Sequence, residues 1–567
     1  MTPRFCQRGA AMMVILTVLV LGVAWFAVGA LGKVAISTAD REAKTALALQ
    51  AGKKALLGHV AQYAGRTTFE FPGRMPCPES LNAYGTANEG QSPGACSNTV
   101  AVVGRLPWQT LGIDQLRDAD GEALWYVLGP NFHPTAFPLN PAPPNPYLNF
   151  GTPAALPFDG NNVVALVIAP GRALQSNPCN AVNQQAARFA VPLNPAKFFE
   201  CGNATGAYTN PGTSAGSNDR VLAITQAEWA DAISGPVADR LQRQVLPVLA
   251  DWHTVELAAT EASLGVGNGR SWGAAPPAGW NLPYLPFASS WGNPTTNDYC
   301  GNQNAYEGLA PVDPTCFRNP WTGTSTATGG LNLLDGGNCI DLNGTHLRCR
   351  YQRLLGLGAL TARITAQAAD VGRAFRGTIR ASDIVVSGNG SVTNMTMSIP
   401  NNTSDATVVI DITWPGLLGL LQVVTVDVPH LQDAAVLSDA RLAWFLNNQW
   451  QRYTYYAVAP GATVSAPTNC ANPAYTGCLT VTGLPASAGP ANRKRLVLML
   501  SGRALAGETQ PSANRNDYFE APNDATNIAG GASTFASNTV STTFNDRIAT
   551  CPYTYIDGGG NNVNLCN

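Results

Sequence analysis

The chain has 567 residues, enough for roughly two to four domains. Charged residues make up only 12% of it, and the formal net charge is −2 with no acidic or basic block, which argues against a nucleic-acid-binding surface because that needs clustered Lys and Arg. Hydrophobic residues reach 45%, enough to fill cores, while 56 glycines and 41 prolines predict many turns and long loops around short strands.

In chain order, the first element is the run over residues 10–31, which carries no charge and no proline. As a helix it spans roughly 30 Å, about one bilayer core, whereas the apolar core of a cleaved signal peptide is only about 7–15 residues. The helix is expected to continue through Lys33–Ala64, a proline-free stretch rich in alanine and leucine with an amphipathic pattern. Ala46, Leu47, Leu49, Leu56, Leu57 and Val60 are the expected buried stripe, and Asp40, Arg41, Glu42, Lys53 and Lys54 the solvent side. One helix of roughly 55 residues, greasy first and amphipathic second, is unusual in a globular protein. It fits a membrane anchor with a stalk, or a helix built for assembly.

Arg4 and Arg8 precede Gly9, and the apolar run begins at once with Ala10. This leader resembles the class III signal of type IV pilins and type II secretion pseudopilins. The resemblance implies that a prepilin peptidase cuts after Gly9 and methylates the new terminus at Ala10. It implies a single-pass subunit of the bacterial inner membrane with its head in the periplasm, reaching the cell surface if assembled into a filament. Other pilin or pseudopilin subunits would then pack against its N-terminal helix. Members of the family usually carry a glutamate at the fifth mature position, where this chain has Val14. A buried charge without a partner is costly, so a subunit lacking that acid suits the tip of a filament.

Beyond the helix, Met75-Pro76-Cys77-Pro78 and Leu106-Pro107-Trp108, followed by Thr110-Leu111-Gly112, resemble two elements of a subgroup of large pilin-like proteins. Asp120-Gly121 stands where that subgroup often has Trp-Gly. Pro107 and Gly112 should bracket a turn, Trp108 should plug a core, and residues 123–128 should form a strand. Residues 163–174 read as a buried strand, and residues 218–225 as another. Thr225 and Glu228 form a capping box for a helix that Pro236 and Pro247 are expected to break.

The same series returns late in the chain. Residues 451–461 parallel 123–130, 494–505 parallel 161–174, 518–526 parallel 198–205, and 544–550 parallel 218–225. Trp125 to Asp219 spans 94 positions and Tyr455 to Asp546 spans 91, so order and spacing point to a duplicated β-rich module. Between the copies, residues 354–375 read as a helix, and residues 392–400 and 406–414 as hairpin partners. Residues 280–291 look like an aromatic linker.

Of the 13 cysteines, Cys6 lies in the leader and would leave with it. The other twelve form close sequential pairs: Cys77/Cys96, Cys179/Cys201, Cys300/Cys316, Cys339/Cys349, Cys470/Cys478 and Cys551/Cys566. Six local disulfides are expected, in an oxidising compartment. No Cys-x-x-Cys occurs and the five histidines are scattered, so no metal or other cofactor is expected.

Candidate chemistry is sparse. Gly212, Ser214 and Gly216 match a nucleophile-elbow pattern, but they sit in a small-residue loop, and no acid and histidine follow in a hydrolase order. Residues 117–122 and 335–344 space oxygen ligands as calcium loops do, yet complete no EF-hand and read as Asx turns. Asn218-Asp219-Arg220 and its copy Asn545-Asp546-Arg547 should shape a turn through an Asp–Arg or Asn–backbone bond.

The expected architecture is α+β. A leader (1–9) precedes an N-terminal assembly helix (10–65, transmembrane over 10–31) and a first β-rich pilin-like module with a trailing helix (66–290). An inserted β-rich region (291–435) and a second copy of the module (436–567) follow. The expected function is non-enzymatic, that of a minor or tip subunit of a type IV pilus or secretion pseudopilus, acting in assembly and adhesion. The alternative is a membrane-anchored periplasmic or surface binding protein that joins no filament.

Overall fold

The structure is a computed structural model. It describes residues 38–66, 71–134, 154–176, 182–210, 217–250, 305–310, 440–460, 477–484, 492–510 and 512–550. Also described are the strands between 321 and 429, with 384–387 and 390, the short pieces 271–272, 288–289, 339, 554–556 and 562–564, and residues 312 and 470. Residues 1–9 (read as a leader), residues 10–31, residues 211–216 and nearly all of 280–291 (read as a linker) lie outside the described residues. Among the described residues no helix is long and apolar enough to cross a membrane.

The chain folds as two compact units, one drawn from Met1–Val60, Arg74–Thr135 and Pro153–Trp229, the other from Ala61–Gly73, Ala136–Thr152 and Ala230–Asn567. In the first, an antiparallel sheet runs in the order Val102–Arg105, Trp125–Leu128, Ala165–Ala169, Arg220–Ile224. The middle strands bury every residue, because both faces of the sheet are covered. On one face lie Trp125, Val127, Leu166, Ile168 and Val221, packed with Phe198 and Phe199. The other face takes the part of the helix over residues 38–60 that belongs to this unit. There Gly52 comes so close that a Cβ would lie 3.2 Å from the Val167 side chain. Complete burial of each such Val, Leu or Phe stabilises by about 1.5–3 kcal/mol.

The helix buries Leu49, Gly52, Leu56, Val60 and Ala64, an i, i+3/i+4 stripe. Ala46 and Leu47, expected inside, face outward, and Leu47 is 72% exposed. Lys53, expected in solvent, is half-buried, since its ammonium donates to the Ala223 carbonyl (2.8 Å) and pairs with Glu228 (2.5 Å). The stripe therefore runs through Gly52 and Lys53, whose aliphatic stem covers apolar surface while its charge finds oxygen.

The second unit holds a sheet of the same strand order: Glu307–Leu309, Thr454–Val458, Leu496–Leu500, Arg547–Thr550, again antiparallel. Its edge strand Glu307–Leu309 comes from the 291–435 stretch read as an insert. The described strands between 321 and 429, with Ser271–Trp272, form two facing sheets. One runs Leu331–Leu333, His346–Arg353, Gln422–Pro429, Val385–Val386, and the other Ser271–Trp272, Ser391–Ile399, Ala406–Trp414, Leu360–Ala368, Trp321–Thr328. Alternate residues of both meet in one core, including Leu347, Cys349, Tyr351, Ile364, Ile410, Ile412, Val424 and Val426.

Residues 354–375 are not a helix where described: Leu360–Ala368 is a central strand with Ala362, Ile364 and Ala366 buried on one face. Its period-2 burial and its pairing with strands on both sides override the helical propensity of its alanines. Pro236 does not break its helix. The α-helix Gln226–Arg240 runs through it and passes into a π-turn, Leu241–Val245, before Leu246–Ala250. The capping box forms as read, with Thr225 N donating to Glu228 (2.9 Å) and Glu228 N to the Thr225 hydroxyl (3.2 Å).

Candidate functional site

In each unit the repeated residues converge on the turn before the fourth strand. Asn218 Nδ2 donates to the Arg172 carbonyl at 2.8 Å, and Asn545 Nδ2 to the Arg503 carbonyl at 2.8 Å. Glu200 N and Asn203 Nδ2 donate to Asp219 Oδ2 at 2.9 and 3.0 Å, as Glu520 N and Asn523 Nδ2 do to Asp546 Oδ2 at 3.2 and 2.8 Å. Asn218 N returns a bond to Glu200 Oε2, and Asn545 N to Glu520 Oε2, both at 3.0 Å. Thr209 N donates to Asn203 Oδ1 and Ala536 N to Asn523 Oδ1, both at 2.8 Å. The turn is thus held by the Asn–backbone bond. The aspartate carboxyl faces a glutamate, and in the first unit Arg220 Nη1 donates to the Asp219 backbone carbonyl (3.3 Å).

That Glu–Asp pair was missed in the sequence. Its signal is the Phe-Glu-x-x-Asn pattern shared by Phe199–Asn203 and Phe519–Asn523. Burial first and the neighbouring Glu200 second push Asp219 up to about 8. Asp546 is pushed well above the ordinary carboxylate range by burial and then Glu520, and burial raises Glu520 as well. The arginine that follows reaches the preceding helix: Arg220 lies 3.8 Å from Glu42, and Arg547 feels the charge of Asp231.

A groove of about 480 Å³ lies beside the first of these turns, between Glu42–Gln50 of the helix and the edge strand at Arg220, Val221 and Leu222. It opens next to the exposed Ala46–Leu47 side of the helix. It holds no nucleophile–base pair.

Three disulfides are closed within the described residues, Cys77–Cys96, Cys339–Cys349 and Cys470–Cys478, and Cys201 is also disulfide-bonded. Cys179, Cys300, Cys316, Cys551 and Cys566 lie outside the described residues. His133 sits against the Cys77–Cys96 sulfurs, the one grouping of three metal-ligating side chains among the described residues. It is not a ready metal site: both sulfurs are spent on each other, and both ring nitrogens are engaged. Burial lowers the His133 pKa, so the ring is neutral at pH 7, with Nδ1–H donating to the Met75 carbonyl and Nε2 accepting from Arg74, each at 2.7 Å.

The 117–122 loop is an Asx turn. Asp118 Oδ1 accepts from Asp120 N (2.8 Å) and Glu122 N (3.0 Å), and Oδ2 from Gly171 N (2.9 Å), so backbone donors occupy the oxygens a calcium ion would need. Of the other such loop, Asp335 and its glycines lie outside the described residues, and Asp341 is in the strand Ile340–Leu342. Trp108 does not plug the core. It is half-buried on a single helical turn, Trp108–Leu111, with its ring over Gly90.

Comparison of the chain with protein-family models, with curated proteins and with solved structures finds no match.

Proposed function

We propose that the protein is a minor or tip subunit of a type IV pilus or type II secretion pseudopilus. The observation that carries this reading is the basic leader ending in Gly9, followed directly by 22 residues without charge or proline and then by an amphipathic helix. The described helix supports it, because residues 38–60 pack on a sheet through one stripe and leave Leu47 outward. The two sheets of equal strand order and the matched turn bonds are read as two copies of one module, the second interrupted by the 321–429 sandwich.

In this reading the apolar run partitions into the inner membrane, the prepilin peptidase frees Ala10, and the helix then packs beside those of other subunits. A 22-residue apolar run contributes tens of kcal/mol of gross transfer free energy at about 25 cal/mol per Å². A head of this bulk hinders repeated stacking, and Val14 leaves no acid for a neighbouring terminus, so the subunit belongs at an end. The proposed role is assembly with adhesion, not catalysis.

The test is fractionation of cells and sheared filaments. The native chain should enter the filament fraction, and the Gly9→Val variant should stay in the membrane with its leader attached. A native chain confined to the membrane fraction would instead favour an anchored surface protein.

A further inference from the structure

We propose that each unit carries a one-proton lock: Glu200 with Asp219, and Glu520 with Asp546, hold a proton between two carboxyl groups at neutral pH, and its release in alkali loosens the turn before the fourth strand. The lock is a property of the head and holds whether or not the chain joins a filament.

The geometry supports this twice over. Asp219 is fully buried and Asp546 is 2% exposed. In both, Oδ2 is satisfied by a backbone N–H and an asparagine amide, while Oδ1 has no hydrogen-bond partner among the described residues. Glu520 Oε1 is likewise buried without a donor. What each aspartate meets instead is the other carboxyl group, within hydrogen-bonding reach. Two carboxylates in contact and out of water cannot both ionise, and one proton shared between them satisfies an oxygen that no N–H reaches. That the same pair recurs with the same five surrounding bonds, the two aspartates lying 327 positions apart, marks it as part of the module and not as a local accident.

The charged surroundings set the balance of each lock. In the first unit Arg188 faces Glu200 and is shared with Glu122 (3.4 Å) and Asp118, so it favours keeping one charge on the pair. Gln184 Nε2 also donates to Glu200 Oε1 at 2.9 Å. In the second unit the neighbour facing Glu520 is another acid, Glu508, which itself feels Asp517 and Arg503. Its like charge adds to burial in favouring the protonated form of the second pair.

The sign follows from linkage. The folded-state affinity for the proton exceeds that of the unfolded chain, so the contribution to stability is complete in acid and is lost as pH rises through about 8 at Asp219. The test compares the full chain with the Asp219→Asn/Asp546→Asn variant, in which an amide replaces the protonated acid and donates to the glutamate. Melting temperature is followed from about pH 6 to about pH 9. The native chain should lose a few degrees over this range, and the variant should lose clearly less. Parallel profiles would overturn the proposal. If the variant does not fold, infrared spectra of the native chain decide: a protonated-carboxyl band at neutral pH that vanishes in alkali supports the lock, and its absence overturns it. A melting temperature lowered by chelator and restored by calcium would also overturn it, by placing a cation where the proton is assigned.

Discussion

Asn218 and Asn545 each set an amide between a backbone carbonyl and a glycine with no room for a side chain. A Cβ on Gly171 would lie 2.8 Å from the Asn218 side chain, and one on Gly502 would lie 1.8 Å from Asn545 Oδ1. Gly171 also has φ +63°, a conformation that costs an L-residue. Gly502→Ala should therefore destabilise the protein by about 1–3 kcal/mol in a denaturant titration, through overpacking and loss of the Asn545–Arg503 bond. Stability equal to that of the native chain would mean the asparagine is free to move. This layer was half legible in the sequence. Repetition of Gly-Arg-Ala-Leu and Asn-Asp-Arg marked the residues, and the Asn–backbone bond could be foreseen. The carboxyl pair could not, because Glu200 and Asp219 are 19 positions apart and only the folded sheet brings them together.

At the scale of elements, residues 38–64 and 360–368 show what pattern can and cannot tell. The helix was legible from its proline-free, alanine-rich stretch, but its inward face was misassigned by part of a turn, since Gly52 and Lys53 do not look like core residues. Leu56 is fully buried and Leu47 is 72% exposed. Leu56→Ala should thus cost about 2–5 kcal/mol, while Leu47→Ala should change stability by less than about 0.5 kcal/mol. Equal costs for the two would place the stripe elsewhere. The strand Leu360–Ala368 was not legible as a strand, because alanine and glutamine carry helical propensity locally and only pairing with Trp321–Thr328 and Ala406–Trp414 decides the matter. The sheet strands were legible from unbroken apolar runs such as Leu496–Leu500, which are buried on both faces.

Across the whole molecule, the parallel between the two units was legible because four segments recur in order at nearly equal spans, and the two four-stranded sheets share one strand order. The edge strand Glu307–Leu309 escaped notice, being three residues long and separated from its partner Thr454–Val458 by the sandwich. Local disulfides such as Cys77–Cys96 and Cys470–Cys478 staple the loops they close. Everything proposed about assembly depends on what happens to the first nine residues. Mass analysis of the N-terminal peptide of the protein isolated from its native cells tests this most directly. The expected result is a chain that begins at N-methylated Ala10 and lacks Cys6. A chain that begins at Met1 or Thr2 would contradict it.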